Sequence, residues 1–199
     1  MNTRTILLAA ALAAACTTQN NSALVIIKVV PPKAETSTST PTTPAVTTCT
    51  FDPASPELSF VPVNLAENEG NVAAVVQNFM PPTNSANTLN LDASVFLPHQ
   101  AVVRYEFLGA AGTPAGVTVQ NPAIIPVSGL EVASGQTATV GIPMFATGVI
   151  SGAVPAGTFI RATFHIEGKL LGGANVHTSE REYLFETCDV AGCANNVCL

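Results

Sequence analysis

The sequence predicts an all-β protein: an antiparallel two-layer, immunoglobulin-like sandwich that follows a signal peptide and a Ser/Thr/Pro-rich tether. From residue 51 onward apolar residues recur with a period of two, which is the pattern of half-buried strands. Pro- or Gly-bearing turns separate these runs, and no segment after the signal has the period of an amphipathic helix. Seven or so strands in about 140 residues are typical of a sandwich of immunoglobulin or fibronectin III type.

The chain begins with a segment typical of an export signal. Arg4 and the amino terminus supply positive charge, residues 6–15 form an apolar run, and that run ends in three small residues, Ala13 to Ala15. A ten-residue run is too short to span a membrane. We therefore predict a signal peptide over residues 1–15.

Cys16 follows the apolar run directly. Leu12-Ala13-Ala14-Ala15-Cys16 resembles the lipobox of bacterial lipoproteins, in which the cysteine is acylated and becomes the first residue of the mature protein; Leu stands one position earlier than usual. The alternative is ordinary cleavage after Ala15, which leaves Cys16 as a free thiol. More than one acyl chain gives stable anchoring, so we expect a membrane-bound protein. Thr17, where Asp would favour inner-membrane retention, favours the outer membrane, on its periplasmic or surface-exposed face.

The cysteine count supports acylation of the first cysteine. An exported chain with five cysteines has an odd one, and acylation of Cys16 leaves an even set of four: Cys49, Cys188, Cys193 and Cys198. Export to an oxidising compartment favours disulfides over a four-thiolate metal site. Of the three possible pairings we favour those that join Cys49 to Cys188 or Cys193, because a bond between the two ends of the domain closes a long loop.

The segment over residues 16–50 is expected to hold the lipidated terminus, a short strand and a linker. Ala23–Val30 is a Val/Ile-rich run that would aggregate if left bare, so we expect it to pair with its own domain; a partner or the bilayer surface are the alternatives. Glu35–Thr48 is almost wholly Ser, Thr, Pro and Ala, which predicts an extended spacer that reaches some 40 Å. We expect the sandwich over residues 51–188 and a cysteine-bearing tail over residues 189–199.

Seven strands are predicted within the sandwich. They are Leu58–Val63, Val72–Phe79, Leu89–Val95, Val103–Phe107, Thr137–Ile142, Ile160–Glu167 and Arg181–Thr187. A turn centred on Gly172-Gly173 would join the last two as a hairpin that pairs Ile160 with Phe185 and Ala162 with Tyr183 on the inner face. The same register sets His165 opposite Glu180 on the outer face, or opposite Glu182 after a slip of two residues.

Three short motifs resemble those of uncharacterised bacterial surface lipoproteins that carry a sandwich of this kind. They are Cys49-Thr50-Phe51, Val76-Gln77-Asn78 and the hairpin from Gly168 to Gly173. The resemblance spans residues 49–193 and implies no activity. Because four residues separate Cys188 from Cys193, where similar proteins have a tighter pair, it implies no disulfide connectivity.

No motif in the sequence predicts catalysis or a cofactor. Walker loops, G-x-G-x-x-G, H-E-x-x-H, C-x-x-C and G-x-S-x-G are absent. Only Asp52, Asp92 and Asp189 could complete a Ser-His-Asp triad, and no signature places them near a base. The three histidines are predicted to be exposed to solvent. His99 follows Pro98 in a predicted turn, His165 lies on an outward strand face, and His177 lies just past the hairpin turn. A zinc site made of His165, His177 and Glu180 is the less favoured alternative.

Charge and aromatic content narrow the class of partner. Removal of Arg4 with the signal leaves six basic against thirteen acidic side chains, a net charge of −7 that disfavours nucleic acid and anionic lipid. With no Trp and two Tyr, both on rows assigned to the core, the chain has no stacking platform for carbohydrate. These observations predict a lipid-anchored, non-catalytic envelope module on a flexible stalk, structural, adhesive or binding a protein partner. A small periplasmic or surface hydrolase is the alternative.

Overall fold

The computed structural model describes residues 23–36, 47–66, 70–82, 93–109 and 112–189. These ranges contain fourteen strands and no helix, which confirms the prediction of an all-β protein. Accordingly, the described ranges offer no helix with the length and apolar character needed to cross a membrane.

The first sheet has four strands, numbered in chain order along the whole protein. In spatial order they are β1 (Leu24–Val30), β5 (Asn71–Asn78), β10 (Thr137–Pro143) and β9 (Ser128–Gly129). All three pairings are antiparallel. Strand β5 is buried on both faces, which explains its continuous apolar run from Val72 to Val76.

The second sheet contains the longest strands. In spatial order they are β4 (Val61–Val63), β14 (Arg181–Thr187), β12 (Phe159–Leu170), β6 (Phe96–Leu108) and β8 (Ala123–Pro126), and β13 (Asn175–His177) also pairs with β12. Strands β4 and β14 are parallel, so the expectation of a wholly antiparallel fold is wrong at this edge. Two separate ladders complete the described strands: β2 (Lys33–Thr36) with β3 (Thr47–Thr50), and β7 (Thr118–Val119) with β11 (Ile150–Ser151).

One hydrophobic core lies between the two sheets. Alternate residues of both sheets contribute to it, and the largest side chains with almost no exposure are Phe96, Phe164 and Phe185. Burying an aromatic or large aliphatic side chain of this kind contributes about 1.5 to 3 kcal/mol. The shared core is the feature that makes the two sheets one folded unit.

The hairpin predicted at the end of the domain is confirmed in register. Ile160 lies opposite Phe185 and Ala162 lies opposite Tyr183. Near the turn, Gly168 lies opposite Pro98 at a register shift, and a Cβ on Gly168 would stand 2.1 Å from the carbonyl oxygen of Leu97. Only glycine fits this close backbone approach.

The apolar run Ala23–Val30 pairs with the domain, as expected. Strand β1 adds to β5, and Leu24, Val29 and Val30 are fully buried. The sandwich therefore includes a strand that precedes the start predicted at residue 51. The pairing of this run was predicted, but the predicted boundary at residue 51 left it outside the folded domain.

The predicted spacer needs correction. Its two ends pair with each other, since Lys33–Thr36 runs antiparallel to Thr47–Thr50 with Glu35 opposite Thr48. Because the two ends of the segment lie side by side, it does not hold β1 at a distance from the rest of the domain. Residues 37–46 lie outside the described residues.

Two predicted strands also differ from the structure. Leu58–Val63 is a strand only from Val61, because the preceding residues cross the edge of the second sheet, where Phe60 packs edge-on against Phe159 with ring centroids 5.9 Å apart. Of Leu89–Val95, only residues 93–95 are described, and they form a turn that leads into β6.

Candidate functional site

The outer face of the second sheet carries most of the charge that the described strands display. Because side chains alternate along a strand, residues between the core-facing positions of β6, β12 and β14 point to solvent. We call the outward set the charged face. Its members are Arg104, Glu106, Arg161, His165, Glu167, Glu180 and Glu182.

Cross-strand ion pairs order this face. Arg161 donates from Nε to Glu106 Oε2 at 3.1 Å and from Nη2 to the same oxygen, and its Nη1 lies 3.9 Å from Glu182 Oε2. Arg104 Nη1 lies 3.2 Å from Glu180 Oε1. The hydrogen bond that Arg161 donates to Glu106, and then the negative charge of Glu106, raise the pKa of Arg161. Exposed pairs of this kind contribute little to stability, so their effect is to orient the side chains.

The structure places His165 beside Glu180, as the hairpin register predicts, and it also brings His177 against His165. The two imidazole centroids are 5.1 Å apart, and His165 Nδ1 lies 3.9 Å from Glu180 Oε1. His177 Nδ1 donates to the carbonyl oxygen of Thr178 at 2.9 Å. Within the described ranges, no three His, Cys, Asp or Glu side chains are arranged to hold a metal ion.

Glu167 extends the charged face toward the hairpin turn. Its Oε2 accepts a hydrogen bond of 2.7 Å from Gln100 Nε2, and its Oε1 lies 3.4 Å from His165 Nε2. The Gln100 hydrogen bond is the main reason why the pKa of Glu167 is lowered; partial burial opposes it, and His165 and His177 lower the pKa further by smaller amounts. The carboxylate is thereby held in its charged form.

A cleft of about 490 Å³ opens at the edge of the charged face. It is lined on one side by Glu57, Leu58 and Ser59, and on the other by Arg161, Glu182 and Tyr183 among others. Burial, and then the Glu57 charge, raise the pKa of Tyr183 to about 12. The lining contains charged and apolar side chains and one serine, Ser59, but no histidine that could act as its base.

Two of the candidate triad aspartates, Asp52 and Asp189, are described and lie at exposed positions. Asp52 Oδ1 accepts the backbone N–H of Ala54 at 2.8 Å and closes a turn, Asp189 is exposed at the end of the described range, and Asp92 lies outside it. His99 is not in a turn as predicted but lies within β6, at the shift that leaves it without an opposite residue. Pro98 is accommodated in the strand by that irregularity.

The predicted modification sites are described only in part. Cys49 and Cys188 lie within the described residues, and the Cys188 N–H donates to the carbonyl oxygen of Val63 at 3.0 Å. Cys16, Cys193 and Cys198 lie outside the described residues, so both acylation and the disulfide pairing stay predictions.

Both tyrosines are buried, with 5% exposure each, as their inward rows predict. Tyr105 donates its hydroxyl to the carbonyl oxygen of Met144. Neither ring is available as a stacking surface for a sugar.

Sequence reasoning missed the charged face as a unit and the cleft beside it. The sequence shows charges at every second position: Arg104 and Glu106 lie on β6, and Glu180 and Glu182 lie just before and within β14. Their assembly around Arg161 depends on the register between β6 and β12, which no local pattern reports. No protein-family model, curated protein or solved structure matches the chain, so the resemblance to surface lipoproteins stays a prediction.

Proposed function

We propose that this protein is a lipid-anchored, non-catalytic module of the cell envelope that binds a protein partner through the charged face. In this proposal residues 1–15 are a signal peptide, Cys16 carries the acyl chains, and the domain is held at the outer membrane. The pairing of β2 with β3 favours a short tether before β1 over a long stalk after it.

The charged face is the observation that carries the proposal. It presents both signs of charge on long ordered strands and is continuous with an open cleft that exposes apolar side chains. Charge arrangements of this kind select partners and set orientation by electrostatic complementarity. The net negative charge of the chain argues against nucleic acid, and the burial of both tyrosines argues against sugar stacking.

The strand order supports an immunoglobulin-like topology. The first sheet, β1-β5-β10-β9, corresponds to the A-B-E-D order, and β14-β12-β6 of the second corresponds to G-F-C. The absence of Trp from the chain distinguishes it from antibody domains, whose core is built around a Trp and a disulfide. In such sandwiches the loops and the outer sheet faces are available for binding.

Partner capture tests the binding face. Cross-linked envelopes that express the native chain should yield a defined protein partner, and Arg104→Gln with Arg161→Gln should lose it. Lys33→Gln, an exposed cation on β2 outside both sheets, is the matched control and should retain the partner. Equal capture by both variants would refute the charged face as the binding surface.

Anchoring is tested independently of the partner. Metabolic labelling with a fatty acid should tag the native chain, and Cys16→Ser should abolish the tag and release the protein. Unchanged membrane retention of Cys16→Ser would refute the lipobox. Turnover in an untargeted substrate screen, lost when His99, His165 and His177 are replaced together, would favour the alternative hydrolase.

A further inference from the structure

One end of the sandwich gathers the start of β1 and the loops that surround it. Strand β1 begins opposite Asn78, where β5 ends, and β10 begins opposite Gln77. Strand β12 ends opposite Phe96, where β6 begins. We call this end the anchor pole; its described loops are residues 79–82, 93–95, 130–136 and 171–174.

The anchor pole exposes three large apolar side chains. Phe79 is 55% exposed, Leu130 is 80% exposed and Leu171 is 42% exposed. Glu131 is the only charged residue in its described loops. The opposite pole, where β6 ends and β12 begins, exposes Leu108 at 38% and Phe60, which packs against Phe159, at 40%, so its apolar side chains are less exposed than those of the anchor pole.

A buried asparagine holds the anchor-pole loops in place. The fully buried Asn78 donates from Nδ2 to the carbonyl oxygens of Ser94 at 2.7 Å and Val132 at 3.0 Å. Its Oδ1 accepts the N–H of Met80 at 3.0 Å. Three loops therefore share one hydrogen-bonded residue, so the exposed side chains sit on an ordered platform and lose little backbone freedom on binding a surface.

The chain between the predicted acylation site and the domain is short, which limits how far the anchor pole can lie from the membrane. Cys16 and Ala23 are seven residues apart in sequence, so their Cα atoms can be separated by at most about 25 Å. The thirteen-residue β6, by contrast, runs roughly 40 Å from the anchor pole toward the other end. The Ala23 carbonyl accepts the Phe79 N–H at 2.7 Å, so the tether reaches the domain beside an exposed apolar side chain.

We infer that the anchor pole rests on the lipid bilayer and places Phe79, Leu130 and Leu171 in its interfacial zone. This inference rests on the proposed acylation of Cys16. Apolar side chains on a nearly uncharged platform suit the headgroup region of a zwitterionic membrane, and the charged face then stands roughly along the membrane normal, open to a partner.

Tryptophan reporters test this orientation. The chain contains no Trp, so Phe79→Trp and Leu171→Trp each introduce a single fluorophore. The acylated variants are reconstituted into phosphatidylcholine vesicles that contain brominated phosphatidylcholine. Both should lose most of their emission, whereas Ile124→Trp, 60% exposed on β8, should keep its emission. Equal quenching at the three positions, or none at Phe79→Trp, would overturn the inference.

A second measurement does not depend on a reporter. The triple variant Phe79→Ser, Leu130→Ser and Leu171→Ser should transfer between phosphatidylcholine vesicles faster than the native acylated protein. The matched control is Ile27→Ser with Ile124→Ser, which removes exposed apolar side chains from other surfaces. Equal transfer rates, or concentration-dependent dimers that the triple variant loses, would overturn the membrane assignment.

Fatty-acid labelling of each preparation separates the two proposals. A labelled protein whose Phe79→Trp variant is not quenched retains its anchor and refutes only the orientation. An unlabelled protein refutes acylation and the orientation together.

Discussion

The two sheets share one core but differ in what covers their outer faces. On the first sheet, Val30, Ala73 and Val75 are buried beneath Phe51, in a small second core that the chain builds for itself. On the second sheet, the outer face is open and carries the ion pairs around Arg161. Charged residues make up only 10% of the chain, so their concentration on the uncovered face marks the surface at which binding can be selective.

The covering residues form one segment, Phe51–Leu58, which we call the cover segment. Lys28 Nζ donates to the Ser55 carbonyl at 2.8 Å, and the Val29 N–H donates to Glu57 Oε1 at 3.3 Å. Glu57 Oε2 also accepts from Arg181 Nη2 at 2.6 Å. Glu57 therefore links an edge strand of the first sheet to the second, and the cover segment blocks the outer edge of β1 against pairing with other chains.

The largest expected difference between the two outer faces is in the stability cost of introducing a glutamate. Ala73→Glu would bury a carboxylate opposite Val30 and Gly141, and the cation on that face, Lys28, already donates to the Ser55 carbonyl, so we expect a cost of about 3 kcal/mol in free energy of unfolding. Thr163→Glu adds the same group to the half-buried centre of the charged face, between Arg104 and Glu182 in register, and should change stability by no more than about 0.5 kcal/mol. Urea unfolding of both variants makes the comparison, and equal costs would mean that the first outer face is not covered.

Removal of the cover itself should have the next largest effect. Phe51→Ala would uncover Ala73 and Val75 and should lower the free energy of unfolding by about 2 kcal/mol. Phe60→Ala, which removes a ring 40% exposed at the edge of the second sheet, should cost less than about 1 kcal/mol. Amide exchange should also quicken in β1 for Phe51→Ala alone; unchanged exchange there would contradict the covering role.

The pairing of strands could be predicted from the sequence, whereas the covering of the first sheet's outer face could not. The hairpin of β12 and β14 was predictable, because two alternating runs flank a glycine turn that permits one favourable register. Pairing of β1 was predictable from the cost of exposing its Val/Ile row. The cover segment was not, because Phe51–Leu58 has no period. The sequence indicates that β5 is covered only through its continuous apolar run, which implies burial on both faces. That run does not identify the residues that cover it.

Only part of the charged face could be predicted from the sequence: the outward positions of β12 and β14, but not their contacts with β6. Alternation fixed which residues of β12 and β14 point outward, and the hairpin register brought His165 toward Glu180. The contacts with β6 join residues more than fifty positions apart, such as Glu106 and Arg161. Charge pairs of this kind contribute too little to fix the register themselves, which the core side chains set from the opposite face.

The two buried tyrosines should differ in how much their hydroxyl groups contribute to stability. Tyr183 lies where the cover segment meets the second sheet. The Tyr183 hydroxyl lies beside the Leu58 backbone but has no partner at full hydrogen-bond geometry in the described part of the chain, so the Leu58 contact offsets the cost of its burial only in part. Tyr183→Phe should therefore leave the free energy of unfolding unchanged or raise it by up to about 1 kcal/mol. Tyr105→Phe loses the hydrogen bond to Met144 and should cost about 1 kcal/mol. Thermal unfolding of the pair measures the difference, and a larger loss for Tyr183→Phe would show that its hydroxyl has a partner.

The smallest expected effect is a pH dependence confined to the charged face. Because the Gln100 hydrogen bond lowers the pKa of Glu167 below its ordinary value of 4.5, the contact stabilises the fold above that pH. The stabilisation is lost as the pH falls from about 4.5 through the lowered pKa, where the carboxylate is protonated in both the folded and unfolded states. Since Glu167 is largely exposed, we expect only a few tenths of a kcal/mol.

Carbon-detected NMR titration of the Glu167 carboxyl is the direct measurement. Gln100→Ala should move the pKa of Glu167 upward toward 4.5 and reduce the stability difference between pH 7 and pH 3. Gln77→Ala, which removes the same side chain from the first sheet, should leave both quantities unchanged. An unchanged pKa of Glu167 in Gln100→Ala would mean that the contacts with His165 and His177, and not the Gln100 amide, lower it.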